Sequence, residues 1–255
     1  MGVLNVTPDS FHDGGEFVNV EKAIFHAKEM IQDGADIIDI GGESTKPGSD
    51  PVSEEEELRR VVPIIEALAN EDILISIDTS KPKVADQCLE KGADMINDVT
   101  GLGDEMRNVA VKHGCPVIIM HMKGKPKTMQ QDVHYENVVK EIKEFLAERV
   151  RLAKEKGITE IYIDPGIGFG KELSHNLELI RRLNEFNEIA PVLLGASRKS
   201  FIGKLTNDES TADRLEGSLA VAAIGIMNGV KILRVHDVKE SKKVALVVDA
   251  IKWQK

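Results

Sequence analysis

Eight short runs rich in valine and isoleucine recur along the chain, separated by longer stretches with apolar residues at helical spacing. The runs are VLNV (3–6), DIIDI (36–40), ILISID (73–78), MINDV (95–99), PVIIM (116–120), IYID (161–164), VLLGA (192–196) and ILRV (232–235). Runs of this kind, bounded by turn formers, read as strands. They are apolar almost throughout rather than alternating, as expected of parallel strands covered on both faces. Eight strand–helix units in 255 residues have the size of a (β/α)8 barrel, so the chain is expected to be an α/β protein folded as a single-domain TIM barrel over 1–255. An open doubly wound sheet is the alternative. It would usually carry a glycine-rich dinucleotide turn or a nucleophile elbow, and neither occurs.

Helices are predicted over 20–35, 53–70, 134–157 and 212–229. In the first, Ile24, Ala27, Met30 and Ile31 share a face and Gly34 supplies the stop. The second has Ser53 as N-cap, and the four glutamates after it suit the positive end of the helix dipole. Pro63 predicts a kink or a break in it. The last is apolar over most of its surface, which predicts burial on more than one side or a partner. The first strand starts at residue 3, whereas barrels often close their bottom with earlier residues, so either the native chain carries a short N-terminal leader or that end of the barrel is left uncovered.

A formal net charge of −10 argues against a protein that tracks nucleic acid. Cys88 and Cys115 have no metal-ligand spacing and suit a reducing compartment. No apolar run approaches the length of a membrane span, and the start has no signal-like region. A cytoplasmic location with no membrane partner is expected.

Active sites of such barrels lie at the C-terminal ends of the strands. There the sequence places Asn5, Asp78, Asn97, Met120 with His121, Asp164, Gly195 with the following SRKS, and Arg234 with His236. Taken singly, an Asp or Asn after a strand is a cap or a turn residue. Asp98 and Thr100 fit that description, and Lys81 fits a helix flank. His26, His113, His134 and His175 read as surface residues of helices. The set at the strand ends mixes signs in one place. Asp78, Asn97 and Asp164 can accept from the N–H edge of a heterocycle, and Lys199 can donate to its carbonyl edge. Arg234 and His236 suit a phosphate, and Asn5 with Asp13 offers oxygen to a hard cation such as Mg²⁺.

IDPGIGFGK (163–171) looks like a phosphate loop but fails the test. Pro165 stands where the first glycine of a Walker loop belongs, and Glu172 replaces the required Ser or Thr. Its glycines instead suit a sharp turn that lets backbone and Phe169 approach a flat ring.

The stretches LNVTPDSFHDGG (4–15), GGESTKPG (41–48), SIDTSKP (76–82), INDV (96–99), DPGIGFGK (164–171), GASRKSFIG (195–203) and RVHDV (234–238) together resemble the dihydropteroate synthase family of pterin-binding barrels. The resemblance covers essentially the whole chain. It implies a folate-biosynthesis transferase, a sulfonamide target, that joins p-aminobenzoate to 6-hydroxymethyl-7,8-dihydropterin diphosphate. By resemblance, Asp78, Asn97, Asp164 and Lys199 hold the pterin, and Met120, Phe169 and Gly195 line its slot. The Arg234 guanidinium stacks near the ring, and Arg234 with His236 takes the diphosphate. Thr45, Pro47 and Ser200 shape the aminobenzoate site. Asn5 binds Mg²⁺, with Asp13 among the catalytic groups, and loops 7–19 and 43–52 close over the centre. A homodimer through the last helices is also implied. Lys46 departs from the family's usual arginine, and His12 from a common serine. Corrinoid-linked methyltetrahydrofolate methyltransferases share the barrel but lack the NVTPDSF and SRKS stretches. A catalytically silent pterin binder would not need Asn5, Asp13, Arg234 and His236.

Overall fold

The computed structural model describes residues 1–7, 16–44, 48–124, 128–129, 133–208 and 210–253. Eight parallel strands follow one another: β1 (Gly2–Asn5), β2 (Ile37–Gly41), β3 (Leu74–Asp78), β4 (Met95–Asp98), β5 (Val117–Met120), β6 (Ile161–Asp164), β7 (Leu193–Leu194) and β8 (Ile232–Leu233). β1 to β6 form one continuous ladder and β7 pairs with β8. Bridges Ile163 to Val192 and Gly2 to Val235 join the two ladders at both seams. The sheet therefore closes on itself, which decides for the barrel and against the open sheet.

Helices α1 (Glu16–Gln32), α2 (Glu54–Leu68), α3 (Pro82–Glu90), α4 (Asp104–His113), α5 (Val138–Glu155), α6 (Leu173–Arg181), α7 (Ser200–Thr206), α8 (Leu215–Met227) and α9 (Val238–Trp253) lie between and after the strands. β7 is followed by two of them, the short α7 and then α8. The main core, including Leu4, Ile38, Ile40, Ile75, Ile77, Ile96 and Ile163, fills the layer between strands and helices.

Ser53 caps α2 by accepting from the Glu56 N–H at 3.2 Å. Pro63 neither breaks nor divides that helix, which runs unbroken through it. Pro63 and Arg59 are both exposed, so the Arg59 carbonyl that proline cannot serve lies on the wet side of the helix. Gly34 ends the turn after α1 at φ 95°, as its position in the sequence suggested. α1 begins four residues earlier than its apolar pattern, and α5 begins four residues later.

Side chains two apart on a strand share a face, and the inward faces carry a gradient. Met1, Ile37, Met95, Ile118 and Leu193 form a separate apolar cluster with Tyr162 and Ile232 packed on it. Two residues further along these same strands stand Asp39, Asn97, Met120, Gly195, Asp164 and Arg234. The barrel interior is thus dry at its N-terminal end and polar toward its C-terminal end.

Candidate active site

Arg234 organises the polar end. It follows β8 and crosses the interior, donating from Nε to Asp39 Oδ2 at 2.6 Å and from Nη2 to Asp78 Oδ2 at 2.7 Å. Asn97 Nδ2 donates to the same Asp39 oxygen at 3.1 Å. Asp39 is fully buried, Asn97 and Asp78 nearly so. Burial raises Asp78 to about 7; Arg234 opposes this, while Asp39, Glu57 and Asp98 add to it. Burial also works against the charge of Arg234, but Asp39 and Asp78 outweigh it and hold the guanidinium ionised.

Asp164 ends β6 opposite Met120, its register partner on β5. Its Oδ1 accepts from the Gly166 N–H at 2.7 Å. A side chain at Gly195 would begin 3.5 Å from Asp164 Oδ2 and 3.8 Å from Arg234 Cβ, so glycine there keeps the space beside both open. The Lys199 ammonium donates to the Ile167 carbonyl and lies 4.4 Å from the centre of the Phe169 ring. Burial lowers Lys199 to about 8 against the pull of Asp164, and burial raises Asp164 against the pull of Lys199. Desolvation outweighs attraction on both partners, so each has much to gain from a ligand that pairs with its charge.

The turn after β6 is held from beneath. Lys171 is 3% exposed, burial lowers its pKa well below the usual lysine value, and its Nζ donates to the Phe169 carbonyl at 2.9 Å and lies 3.1 Å from His121 Nδ1. His121 is kept neutral, its pKa lowered to about 3 by burial and then by Lys171. Tyr135 Oη donates to the Gly170 carbonyl at 3.0 Å.

Asp78, Asn97, Asp164, Phe169, Gly195, Lys199 and Arg234 are thus joined in one connected group, with Met120 beside it. Asn5 ends β1 next to Gly41. His236 Nδ1 and backbone N both lie 3.2 Å from Ser197 Oγ. Ser200 opens α7 and is exposed. Asp13, Thr45 and Pro47 lie outside the described residues, as do Lys46 and His12.

Two side chains of this group escaped the sequence reading. Asp39 had one available signal, a charge inside an otherwise apolar strand. Lys171 followed a glycine turn and had none. Several residues taken as incidental do more than expected. Lys81 is not a mere helix flank: its ammonium sits 2.5 Å from both Glu43 and Glu57, and Glu57 is fully buried rather than simply facing the helix dipole. His113 is half-buried against Asp86 at 2.6 Å. His175 accepts from the Glu172 N–H at the start of α6. His134 is exposed, in the segment before α5. Asp98 does what a turn aspartate does, accepting from the backbone of Thr100 and Leu102.

A cavity of about 460 Å³ opens at the opposite, N-terminal end, lined by Met1, Ile37, Leu74, Tyr162 and Leu246 among others. The connected polar group does not face it. Among the described residues, the one three-residue cluster with metal-ligand geometry is Asp86, Glu90 and His113 on the outer face of α3 and α4. The Lys112 ammonium already lies 2.6 Å from Asp86 and 3.1 Å from Glu90, so that charge is met by a side chain.

A closed eight-stranded barrel that gathers hydrogen-bonding groups of both signs at the C-terminal end of its strands, with the Phe169 ring beside Lys199, is an enzyme of the (β/α)8 class. Residues 1–236 match the sequence profile of the family described as pterin binding enzyme. The dihydropteroate synthase of Escherichia coli K12 is 48% identical over 255 residues, covering 98% of this chain and 90% of that protein. The crystal structure of the Yersinia pestis dihydropteroate synthase with a sulfonamide drug superposes with a TM-score of 0.93 at 45% identity, covering 100% of this chain and 94% of that one. The Xanthomonas albilineans dihydropteroate synthase with 4-aminobenzoic acid gives 0.93 at 42%, covering 99% and 92%. The chain belongs to the pterin-binding enzyme family, among its dihydropteroate synthases.

Proposed function

We propose that the chain condenses p-aminobenzoate with 6-hydroxymethyl-7,8-dihydropterin diphosphate, yielding 7,8-dihydropteroate and diphosphate. The observation that carries this reading is the convergence of Asp78, Asn97, Asp164 and Lys199 on the polar end of the barrel interior, about Arg234 and Asp39. Asp78, Asn97 and Asp164 present acceptors to the N–H edge of the pterin, and Lys199 donates to its opposite edge. A pterin that satisfies Lys199 and Asp164 together recovers what burial costs each of them.

The bond that breaks joins the pterin's exocyclic carbon to the diphosphate oxygen, which leaves with the electron pair. The electron-rich ring spreads the positive charge left on carbon, and the negative charge around Asp39 and Asp78 favours that state. The aryl amine then forms the new C–N bond and releases a proton. No side-chain nucleophile is required. Arg234 and His236 are assigned to the diphosphate side of the rim, where the Arg234 guanidinium is ionised and His236, lowered to about 4 by burial and then by Arg234, offers a neutral N–H. Ser200, Thr45 and Pro47 are assigned to the aminobenzoate side, and loops 7–19 and 43–52 to closure over the centre.

The donor set fits Mg²⁺. The Asn5 side-chain oxygen accepts no hydrogen bond from the described residues and stands at the polar end of β1, and Mg²⁺ prefers few protein oxygens plus substrate phosphate. Asn5, with Asp13 nearby in sequence, is assigned to hold it. When bound it neutralises charge on the leaving diphosphate.

The test is aminobenzoate-dependent formation of dihydropteroate from the pterin diphosphate. Product is expected with Mg²⁺, and less than a tenth as much, on the order of a loss of 1.4 kcal/mol or more in transition-state stabilisation, after chelation by EDTA. Diphosphate binding with no product would favour a silent pterin binder.

A homodimer and a cytoplasmic location belong to the same reading. Ile224 and Met227 on α8 and Leu246, Val247, Ile251 and Trp253 on the adjoining α9 are 45–66% exposed. A cluster of this kind marks a protein partner surface, and a second copy is its assigned occupant. Light scattering is expected to give a dimer for the parent and a monomer for Leu246→Glu; a monomeric parent would overturn this assignment. No described helix is long and apolar enough to cross a membrane, and both cysteines are free and buried, which supports a reducing compartment.

A further inference from the structure

We propose that Asp39 is a positioning residue: it fixes Arg234 and Asn97 together against the pterin side of the site. The inference rests on the pterin reading above, in which Arg234 and Asn97 touch the substrate and Asp39 acts only through them.

Asp39 Oδ2 is the single atom at which the two residues meet, receiving Arg234 Nε at 2.6 Å and Asn97 Nδ2 at 3.1 Å. Arg234 comes from beyond β8, and Asn97 from β4. Without Asp39, Asp78 alone among the described residues holds the Arg234 guanidinium, and a long flexible side chain held at one nitrogen can swing. With Asp39, the guanidinium plane is set by two carboxylates on two different strands, and Asn97 is oriented by the same atom.

The arrangement is not one that stability alone would select. Asp39 Oδ1 is buried without a hydrogen-bond partner among the described residues, and so is the hydroxyl of Ser76. Ser76 is the register partner of Asp39 on β3. An unpaired buried polar atom is costly, and a buried carboxylate more so. An asparagine at 39 would remove the buried charge and keep an oxygen for Arg234 and Asn97. The charged residue is therefore a liability for folding that the site has a use for. That use follows from the geometry, since a carboxylate oxygen holds a guanidinium and an amide N–H more firmly than a neutral amide oxygen does.

The experiment is Asp39→Asn in the full chain. The neutral amide is expected to leave Tm unchanged or raise it. Affinity for the pterin diphosphate, measured by titration calorimetry, should fall about 10- to 100-fold, because a neutral amide oxygen holds Arg234 and Asn97 less firmly than a carboxylate. kcat should fall with it, while KM for aminobenzoate at saturating pterin stays within about twofold of the parent, because Asp39 acts on the pterin side through Arg234 and Asn97. A residue that served only the fold would lower Tm and leave the pterin affinity of the folded protein intact. Parent-like pterin affinity and kcat in the variant would overturn the proposal, as would a variant that does not fold. If the parent itself bound no pterin diphosphate, the functional reading would fail instead, and the two failures are told apart by that control.

Discussion

Asparagine in place of Asp164 is expected to weaken binding of a pterin fragment by roughly 100- to 1000-fold, or about 3–4 kcal/mol, while the protein stays folded. The side chain is 4% exposed and ends β6 at the centre of the connected polar group. Burial already raises its pKa in the folded protein. The native state therefore binds more protons than the unfolded chain at pH values above the ordinary carboxylate range, and this carboxyl's contribution to stability falls as pH rises through that window. The amide removes that liability and keeps an oxygen for the Gly166 N–H. What it cannot do is accept two ligand hydrogens with a full negative charge, and it deprives Lys199 of a counter-charge. The measurement is a fluorescence or calorimetric titration with a pterin fragment beside a thermal melt. Parent-like affinity in a folded variant would remove Asp164 from the site.

Alanine at position 166 is expected to cost roughly 3–5 kcal/mol of stability, a drop in Tm on the order of 10 °C. Gly166 has φ 72°, in the left-handed region. A Cβ there would fall 1.9 Å from the His121 carbonyl oxygen, which is backbone at the end of β5 and cannot step aside as a side chain could. The turn would have to lift off β5, taking with it the Phe169 carbonyl that Lys171 holds and the Ile167 carbonyl that Lys199 holds. Both the melt and the pterin titration should therefore report the change. A variant with the parent's Tm and affinity would mean that the turn is not seated on β5 as described. In the nine residues that resemble a phosphate loop, Gly166 and Gly170 answer to close backbone neighbours, His121 and Lys123.

Most of the architecture was legible because parallel strands covered on both faces have a distinctive composition. All eight apolar runs became strands, even β7 and β8, whose ladders are only two residues long. Their ends named most of the site, because a polar residue closing an apolar run has no place in a dry interior except at the rim. Pro63 misled, since the penalty for proline in a helix depends on whether the orphaned carbonyl meets water, and exposure is not written in local sequence. Lys81 and Glu57 misled for a similar reason. Each has an ordinary local role at a helix start, and only the approach of α2 to the β3–α3 connection makes them partners.

Asp39 and Lys171 show where local reading ends. Asp39 lies 195 residues from Arg234 in the chain, and Lys171 lies 50 residues from His121. No periodicity connects such pairs. The sequence by itself determined that the chain makes eight strands, that they are parallel and buried, and which chemical groups stand at their ends, because those properties follow from side-chain composition within a few residues. Only the tertiary structure decided that the sheet closes, that its register turns Asp39, Asp78, Asn97, Asp164 and Arg234 onto one inward face, and that burial rather than pairing governs the charge on Asp78, Asp164 and Lys199. Those are consequences of distance and desolvation, which exist only once remote segments are brought together.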